Sequence, residues 1–234
     1  MKTGYTHVSI LIDKSGSMQS IKDDVIGGFN QLIEDQKKEQ GELTVSLVQF
    51  DGNNELDFNV TNDFSPVNKV ISLNEKNYQP RGNTPLNDAL ARLILETGNK
   101  LTSLNEDDRP EKVIFVCITD GQENSSREHT TASVKAMIEV QEKVYKWKFI
   151  YIGANQDSFA EGNARGMGSS LDYDFSPLGN KAMYSSLNKS ISKSRTSDLK
   201  EFHNLNFSEE LKNEYDKEKE EIEKGKSDTK GKKI

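Results

Sequence analysis

The sequence feature that most constrains the fold is an apolar run that ends at a carboxylate. Residues 8–12 are apolar except for one serine, and Asp13-Lys14-Ser15-Gly16-Ser17-Met18 follows them directly. A short β-branched run, a glycine-containing loop and then a segment with helical spacing predict a strand, a loop and a helix. In an open α/β sheet, ligands bind at the loops that follow the carboxyl ends of the strands. The loop is therefore a candidate binding site.

The apolar spacing along the rest of the chain continues this alternation. It predicts further strands at residues 43–50, 56–60, 113–119, 147–153 and 171–175, and helices at residues 21–40, 85–98, 134–145 and 178–195. The polar turn at residues 51–54 predicts a hairpin whose second strand is an antiparallel edge strand. We therefore predict an α/β fold: a Rossmann-like open, mostly parallel sheet with one antiparallel edge strand and helices on both faces.

Three local patterns give more detailed expectations. Gly27 and Gly28 lie inside the first predicted helix, where each costs about 1 kcal/mol relative to alanine, so we expect them to let the helix approach the sheet closely. Ser125 or Ser126 is expected to cap the third helix. Asp51 lies at a strand end, where a role as turn former is favoured over a role at a binding site.

Composition limits the class of protein. The chain has 234 residues, enough for one α/β domain with an extension. Its one cysteine, Cys117, excludes an internal disulfide framework and favours a reducing compartment. No signal peptide pattern precedes the first strand, and no apolar run approaches the ~18 residues of a membrane span. The net charge of −7 disfavours a nucleic-acid binder. We expect a cytoplasmic protein that does not span a membrane.

The charge pattern divides the chain near residue 200. We predict one domain over residues 1–200 and a charged extension over residues 201–234, since residues 208–234 contain nine acidic and eight basic side chains. Phe207, Leu211 and Tyr215 recur at helical spacing, so the extension is expected to begin with a short docked helix and to continue as a flexible tail.

The chemistry of the first loop indicates a cation. Asp13, Ser15 and Ser17 supply one carboxylate and two hydroxyls at alternate positions, and all three are hard oxygen donors. Such donors suit Mg²⁺, which prefers octahedral oxygen coordination and usually keeps some waters. Mn²⁺ fits the same donors, whereas Ca²⁺ fits them less well.

Three separate stretches resemble the metal-ion-dependent adhesion site of von Willebrand factor A (VWA) domains. The first is the Asp13-x-Ser15-Gly16-Ser17-Met18 loop; the second is the run of residues 82–90, which contains Thr84 and opens a helix; the third is the apolar strand that ends at Asp120. All three occur in order between a strand or loop and a helix, which makes the resemblance specific. The short form is similar to intracellular VWA proteins of bacteria and phages.

This resemblance implies a site and a function. The hydroxyls of Ser15, Ser17 and Thr84 would ligate Mg²⁺ directly, and one or both of Asp13 and Asp120 would act through water. A cation held in this way stays electrophilic, so it would attract an Asp or Glu carboxylate of a partner protein. The resemblance thus implies a Mg²⁺-dependent protein–protein interaction module. Intracellular relatives act with other complex subunits, including AAA+ ATPases.

Several polar residues near the three motifs are candidates for the rim of such a site. Asp51, Asn83 and Glu123 are candidates only because they are close in sequence to the motif loops. The run Asn155-Gln156-Asp157 follows a late predicted strand, but capping of the next helix is the favoured role for it.

Two other functions stay open at this point. A Mg²⁺-dependent phosphoesterase is one, although the sequence has no phosphate-binding Gly-x-x-x-x-Gly-Lys-Ser/Thr loop and its three histidines have no evident catalytic partners. A structural or nucleic-acid accessory role for the Lys-rich end is the other. We predict that the protein is not an enzyme.

Overall fold

A computed structural model describes residues 1–53, 55–154 and 157–230 of the chain, with side chains up to residue 224. Its centre is a six-stranded sheet in the order β3-β2-β1-β4-β5-β6. The strands are β1 Lys2–Asp13, β2 Glu42–Gly52, β3 Leu56–Pro66, β4 Pro110–Thr119, β5 Lys148–Ala154 and β6 Ser169–Tyr173. Every neighbouring pair is parallel except β2 and β3, which form the antiparallel edge. The predicted fold class is confirmed.

Helices cover both faces of the sheet. They are α1 Lys22–Gln36, α2 Leu86–Ser103, α3 Thr131–Tyr145, α4 Ser158–Ala164, α5 Pro177–Thr196, α6 Leu199–Asn204 and α7 Phe207–Lys230. One apolar core joins the sheet to α1, α5, α6 and α7, and a second core joins it to α2 and α3. The central strands β1 and β4 are buried on both faces because each face packs against a helical layer. None of the helices in the described part of the chain is long and apolar enough to cross a membrane.

The strand order explains why distant motifs meet. The chain passes from β1 to β2 on one side and reaches β4 on the other, so β1 is the point where the winding of the sheet reverses. In the parallel register, Ile12 pairs with Ile118, and Asp13 and Thr119 therefore end their strands side by side. Ligands of open α/β folds bind at such a reversal point.

Some element boundaries differ from the predictions. The first helical segment begins as a 3₁₀ turn at Gly16–Ile21 and ends at Gln36, four residues before the predicted end. The Arg195 guanidinium donates to the carbonyl oxygens of Gln36 and of residues 39–41, which satisfies backbone groups at this helix end. Thr130 caps α3, and not Ser125 or Ser126. The Thr130 hydroxyl accepts a hydrogen bond from the Ser133 N–H, and the Ser133 hydroxyl accepts one from the Thr130 N–H.

The two glycines of α1 have different surroundings. A Cβ atom on Gly28 would overlap the ring of Tyr184 on α5, whereas a Cβ atom on Gly27 would have nothing within 4 Å. The expectation that both glycines bring the helix close to the sheet is therefore wrong. Gly28 permits close packing of α1 against another helix, and Gly27 faces open space.

The carboxyl-terminal part of the described chain packs onto the domain. Phe207, Leu211 and Tyr215 of α7 are buried and belong to the same core as α1 and α5. Helix α7 continues past Tyr215 to Lys230. The domain boundary at residue 200 stays a prediction, and residues 231–234 of the predicted tail lie outside the described residues.

Candidate metal centre

Three loops meet at the carboxyl end of the sheet, and backbone hydrogen bonds hold them together. The loop after β1 is joined to the loop before α2 by the bond from Gly16 N–H to Gly82 O (3.1 Å) and by that from Arg81 N–H to Lys14 O (2.8 Å). The loop after β4 is joined to the same segment, since the Asn124 N–H donates to Thr84 O (3.2 Å). Backbone hydrogen bonds, and not the candidate side chains, therefore bring the three loops together.

Asp13 is the most enclosed of the candidate residues. Its carboxylate accepts hydrogen bonds from the Ser15 N–H (2.6 Å) and from the Thr119 hydroxyl (2.6 Å). Its carbonyl oxygen accepts a hydrogen bond from the hydroxyl of buried Tyr78 (2.8 Å). Burial raises the pKa of Asp13 to about 7. A cation nearby would favour the charged form of this carboxylate.

The side-chain oxygen atoms of Ser15, Ser17 and Asp120 lie between Asp13 and the protein surface. The hydroxyls of Ser15 and Ser17 are 3.1 Å apart, and the Ser17 hydroxyl donates to Asp120 Oδ1 (2.7 Å). Ser15 is buried, Asp120 is half-buried and Ser17 is exposed. Burial raises the pKa of Asp120 as well. The donors thus run from the buried strand end to solvent, where a partner molecule has access.

Gly121 marks the point at which the three loops converge. A Cβ atom on this glycine would lie 3.2 Å from Thr84 Oγ1 and 3.8 Å from both Asp13 Oδ2 and Ser17 Oγ. Asp13 and Ser17 belong to the first of the three motifs, Thr84 belongs to the second, and Gly121 directly follows Asp120 of the third. The absence of a side chain at Gly121 therefore leaves a small cradle surrounded by a carboxylate and hydroxyls.

The donor set of this cradle fits a hard cation. Asp13, Ser15, Ser17, Thr84 and Asp120 contribute two carboxylates and three hydroxyls, which suit Mg²⁺ or Mn²⁺. Within the described residues, no group of three or more histidine, cysteine or acidic side chains is arranged to hold a metal ion. The candidate centre is thus rich in hydroxyls. The structure brings the five predicted residues together, and their role as metal ligands stays a prediction.

Asp51 and Asn83, two of the three suggested rim residues, have other roles in the structure. Asp51 is buried and lies 3.1 Å from the Lys14 ammonium and 3.4 Å from the Arg81 guanidinium, so it is neither a turn former nor a rim residue. The backbone of Asn83 pairs with that of Gly52 on β2. These contacts support the motif loops from the side of β2.

The loop after β4 is held by two carboxylates. Glu123 accepts hydrogen bonds from the N–H groups of Asn87 (2.7 Å) and Ser126 (2.7 Å), so it links the loop to the first turn of α2. Asp88, on that first turn, accepts hydrogen bonds from the N–H groups of Arg127 (2.7 Å) and His129 (2.7 Å). Sequence reasoning missed the role of Asp88, because its partners are about 40 residues away.

Asp157 behaves as the capping hypothesis predicts. Its side chain accepts a hydrogen bond from the Ala160 N–H (2.9 Å) at the start of α4. Asn155 and Gln156, which were grouped with it, lie outside the described residues.

The fold and these loops define an α/β domain with a candidate cation site at the reversal point of its sheet. The family model of the von Willebrand factor type A domain matches residues 7–171, which is more than half of the chain. The protein therefore belongs to the VWA domain family, whose members are usually interaction modules. A comparison with curated proteins found no match.

Solved structures with the same fold come from diverse organisms. One is a von Willebrand factor type A protein from Catenulispora acidiphila, with a TM-score of 0.53 and 12% identity over 83% of this chain and 43% of its own. Another is proximal thread matrix protein 1 from the mussel byssus, described with a zinc-occupied MIDAS motif, with a TM-score of 0.53 and 13% identity over 81% and 46%. A third is the pilus adhesin SpaC from Lactobacillus rhamnosus GG, with a TM-score of 0.56 and 12% identity over 82% and 30%.

These neighbours establish the fold and not the function of this chain. Their identities of 12% to 13% are too low for more than a shared architecture. The chain spans less than half the length of each of the three. The zinc-occupied motif is a property of the mussel protein.

Proposed function

We propose that the protein is a Mg²⁺-dependent protein–protein interaction module. Asp13, Ser15, Ser17, Thr84 and Asp120 would hold the cation, and Mn²⁺ is an alternative occupant. The bound cation would supply an electrophilic centre for an Asp or Glu carboxylate of a partner protein. The observation that carries the proposal is the cradle beside Gly121, where oxygen atoms of the first and second motifs come within 4 Å of one point on the third loop.

The charge of the site supports recognition of an anionic group. The candidate ligands include only two carboxylates, one of which is enclosed by hydrogen bonds from Ser15 and Thr119. The two carboxylates formally balance the charge of a divalent cation, but one or both of them would act through water. The cation would then be in direct contact mainly with neutral hydroxyls and would stay electrophilic. The exposed hydroxyl of Ser17 lies at the solvent side, where a partner's carboxylate would approach.

An interaction role is favoured over catalysis. A phosphoesterase would need a nucleophile or a base beside the metal. His7, the histidine of β1, is buried and hydrogen-bonded to Thr44 and Ser9. The histidine of the loop after β4, His129, lies beside Asp88, whose carboxylate is already occupied by backbone N–H groups. The family usually acts in binding.

The cellular setting is a further part of the proposal. We propose a cytoplasmic protein of the bacterial or phage type that acts in a complex, with an AAA+ ATPase as one candidate for the other subunit. The single buried cysteine, Cys117, supports a reducing compartment.

Metal binding is tested with Thr84→Val, which removes one hydroxyl from the cradle while nearly keeping the volume of the side chain. We expect Mg²⁺ to bind the wild-type protein in a calorimetric titration and to raise its melting temperature. Thr84→Val is expected to bind at least ten-fold more weakly, about 1.4 kcal/mol. Thr61→Val, which changes the same residue type on the edge strand β3, is the matched control and should bind normally.

Partner binding is tested by affinity capture with wild-type protein and Thr84→Val, each in Mg²⁺ and in EDTA. The proposed function requires a partner retained only by the wild-type protein in Mg²⁺. Replacing that partner's Asp or Glu by Asn or Gln should then abolish capture. Retention of every partner in EDTA would contradict the proposal.

A further inference from the structure

A cluster of four charged side chains lies beside the candidate metal centre, on the side of β2. Lys14 belongs to the loop after β1, Asp51 lies near the end of β2, Asp57 lies on β3, and Arg81 belongs to the loop before α2. We call these four residues the ionic cluster. None of them is a candidate metal ligand. Lys14 nevertheless stands between two candidates in the sequence, and Arg81 stands three residues before a third.

Each acid of the ionic cluster contacts both of its cations. Asp51 Oδ2 lies 3.1 Å from the Lys14 ammonium and 3.4 Å from Arg81 Nε. Asp57 Oδ2 lies 3.4 Å from the same ammonium and 2.6 Å from Arg81 Nη2. Each acid therefore forms a bridge between the loop after β1 and the loop before α2.

The two bridges differ in burial. The side chain of Asp51 is 2% exposed and that of Lys14 is 7% exposed, whereas that of Asp57 is 36% exposed. Water and salt screen the exposed bridge, so it contributes little to holding the loops. The buried bridge is screened much less, and removal of one partner leaves an uncompensated buried charge. The arrangement of the cluster therefore depends more on Asp51 than on Asp57.

The backbone joins the same two loops at the same residues. The Arg81 N–H donates to Lys14 O (2.8 Å), and the Gly16 N–H donates to Gly82 O (3.1 Å). The side chains of Lys14 and Arg81 both contact Asp51. These three residues thus form a closed ring of one backbone hydrogen bond and two ion pairs.

The two loops carry like charges where they meet. Without Asp51, the Lys14 ammonium and the Arg81 guanidinium would be bridged only by the more exposed acid on β3, and like charges at short range repel each other. Repulsion at this point would separate the loop that contains Ser15 from the segment that contains Thr84. Both hydroxyls are candidate ligands of one cation, and Mg²⁺ demands near-ideal octahedral geometry.

We propose that Asp51 is a positioning residue of the candidate metal centre. By holding the Lys14 and Arg81 cations together, it sets the distance between the first and second motifs. It acts through these two loops and does not itself ligate the cation. Its effect on Mg²⁺ rests on the proposed function, whereas the arrangement of the loops is a property of the metal-free protein and can be measured without Mg²⁺.

Hydrogen exchange in EDTA, followed by NMR, tests the arrangement of the loops without a metal. Asp51→Asn removes the charge and keeps the shape of the side chain. We expect the N–H groups of Gly16 and Arg81 to exchange at least ten-fold faster in this variant, because their hydrogen bonds join the two loops. Asp63→Asn is the matched control, since it breaks an exposed ion pair of β3 with Lys100 (2.9 Å), and its exchange should equal that of the wild type.

Calorimetric titration measures the effect on Mg²⁺ binding. Asp51→Asn should bind Mg²⁺ at least ten-fold more weakly than the wild type, and Asp63→Asn should bind it normally. Lys14→Met separates positioning from charge. Removal of a cation beside the site would strengthen Mg²⁺ binding if charge alone mattered, whereas loss of the ring should weaken it. Lys14→Met/Asp51→Leu removes both buried charges, a change that often preserves stability, so it provides a folded protein without the ring even if Asp51→Asn unfolds. It too should bind Mg²⁺ at least ten-fold more weakly.

A double-mutant cycle shows whether Asp51 acts by placing Thr84. Once the Thr84 hydroxyl is absent, loss of the residue that positions it should have no further effect. Thr84→Val/Asp51→Asn should therefore bind Mg²⁺ as weakly as Thr84→Val alone. A merely structural or electrostatic role of Asp51 would make the two losses additive.

The inference is overturned if the Gly16 and Arg81 N–H groups of Asp51→Asn exchange as slowly as those of the wild type. Tighter Mg²⁺ binding by Lys14→Met, or additive losses in the cycle, would overturn it as well. Normal Mg²⁺ affinity in Asp51→Asn, together with weak binding by Thr84→Val, would overturn the role of Asp51 and leave the proposed function standing. A wild-type protein that binds no Mg²⁺ would overturn both.

Discussion

The space for a cation in the candidate site depends on the absence of a side chain at Gly121. A methyl group there would lie 3.2 Å from Thr84 Oγ1 and within 4 Å of Asp13 Oδ2 and Ser17 Oγ, so it would occupy the cradle. We expect Gly121→Ala to weaken Mg²⁺ binding at least ten-fold, about 1.4 kcal/mol, while the free energy of unfolding changes little. A calorimetric titration and a urea unfolding curve measure the two quantities.

Gly168→Ala is the control for this prediction. A Cβ atom at Gly168 would have nothing within 4 Å, so its Mg²⁺ affinity should equal that of the wild type. Unchanged Mg²⁺ affinity in Gly121→Ala would show that the cation does not bind in the cradle.

His7 makes the stability of the fold depend on pH. It is fully buried, its ring stacks on Phe64 at 3.7 Å, and its two nitrogens are bonded to Thr44 and Ser9. Burial lowers its pKa from 6.5 to about 3. Below pH 6.5 the unfolded chain binds a proton that the folded chain does not, so stability falls as the pH decreases from 6.5 towards 3.

The His7→Gln variant isolates this effect, because glutamine does not titrate. From pH 7.5 to pH 4.5, the free energy of unfolding of the wild type should fall by about 2–3 kcal/mol more than that of the variant. Urea unfolding at both pH values measures the difference. Parallel pH profiles of the two proteins would show that the pKa of His7 is the same in the folded and unfolded states, which would contradict the prediction.

At this scale the sequence identifies the candidate ligands, whose role stays a prediction, but it does not identify the residues that support them. Asp13, Ser15, Ser17, Thr84 and Asp120 stand in local motifs, so each could be predicted from neighbouring residues. Their supports come from distant positions: Tyr78 reaches Asp13, and Asp88 holds the loop after β4. A contact between residues that are far apart in the sequence cannot be predicted from a local sequence pattern.

At the scale of elements, α1 offers a matched pair of substitutions. Gly27→Ala places a methyl group in open space inside a helix and should raise the free energy of unfolding by up to about 1 kcal/mol. Gly28→Ala places the methyl group against the ring of Tyr184 and should lower it by about 1–3 kcal/mol, despite the same gain in helix propensity. Urea unfolding of both variants measures the opposite signs, and an equal effect of the two substitutions would disprove the packing difference.

Elements were predictable where a periodic pattern is long, and less so at their ends. The alternation of strands and helices predicted the six strands and a mostly parallel sheet, since connections of this length place a helix between parallel strands. The polar turn after β2 predicted the antiparallel edge strand. The cap of α3 was misassigned because Ser125 and Ser126 are good capping residues by type. Their N–H groups bind Glu123 instead, and Thr130 and Ser133 form the cap. Several chemically suitable residues compete, and only tertiary contacts select among them.

At the scale of the whole molecule, the first part of α7 packs into the core. Phe207 is fully buried in the layer formed by α1 and α5. We expect Phe207→Ala to lower the free energy of unfolding by about 3–5 kcal/mol. Phe159→Ala makes the same chemical change at a side chain that is 64% exposed, and it should cost at most about 0.5 kcal/mol. Urea unfolding curves measure the free energy of unfolding of both variants.

This comparison also tests the predicted boundary at residue 200. A cost below about 1 kcal/mol for Phe207→Ala would support a separable extension. A large cost would move the boundary to the end of the buried part of α7, which reaches Tyr215 among the residues described. The charge pattern suggested the earlier boundary because three buried residues among many charged ones carry little weight in composition.

The direction of α7 determines how the protein is best attached to a support. The Asp174 N–H, just beyond β6, donates to the Tyr215 hydroxyl (3.0 Å), and the Asp174 carboxylate pairs with Lys219. The helix continues from Lys219 to Lys230, about 16 Å further, beyond the carboxyl edge of the sheet. The carboxyl end of α7 thus lies on the same side of the sheet as the cation site, whereas Met1 lies at the opposite end, before β1. Attachment through Met1 therefore keeps a support away from the cation site in a binding assay.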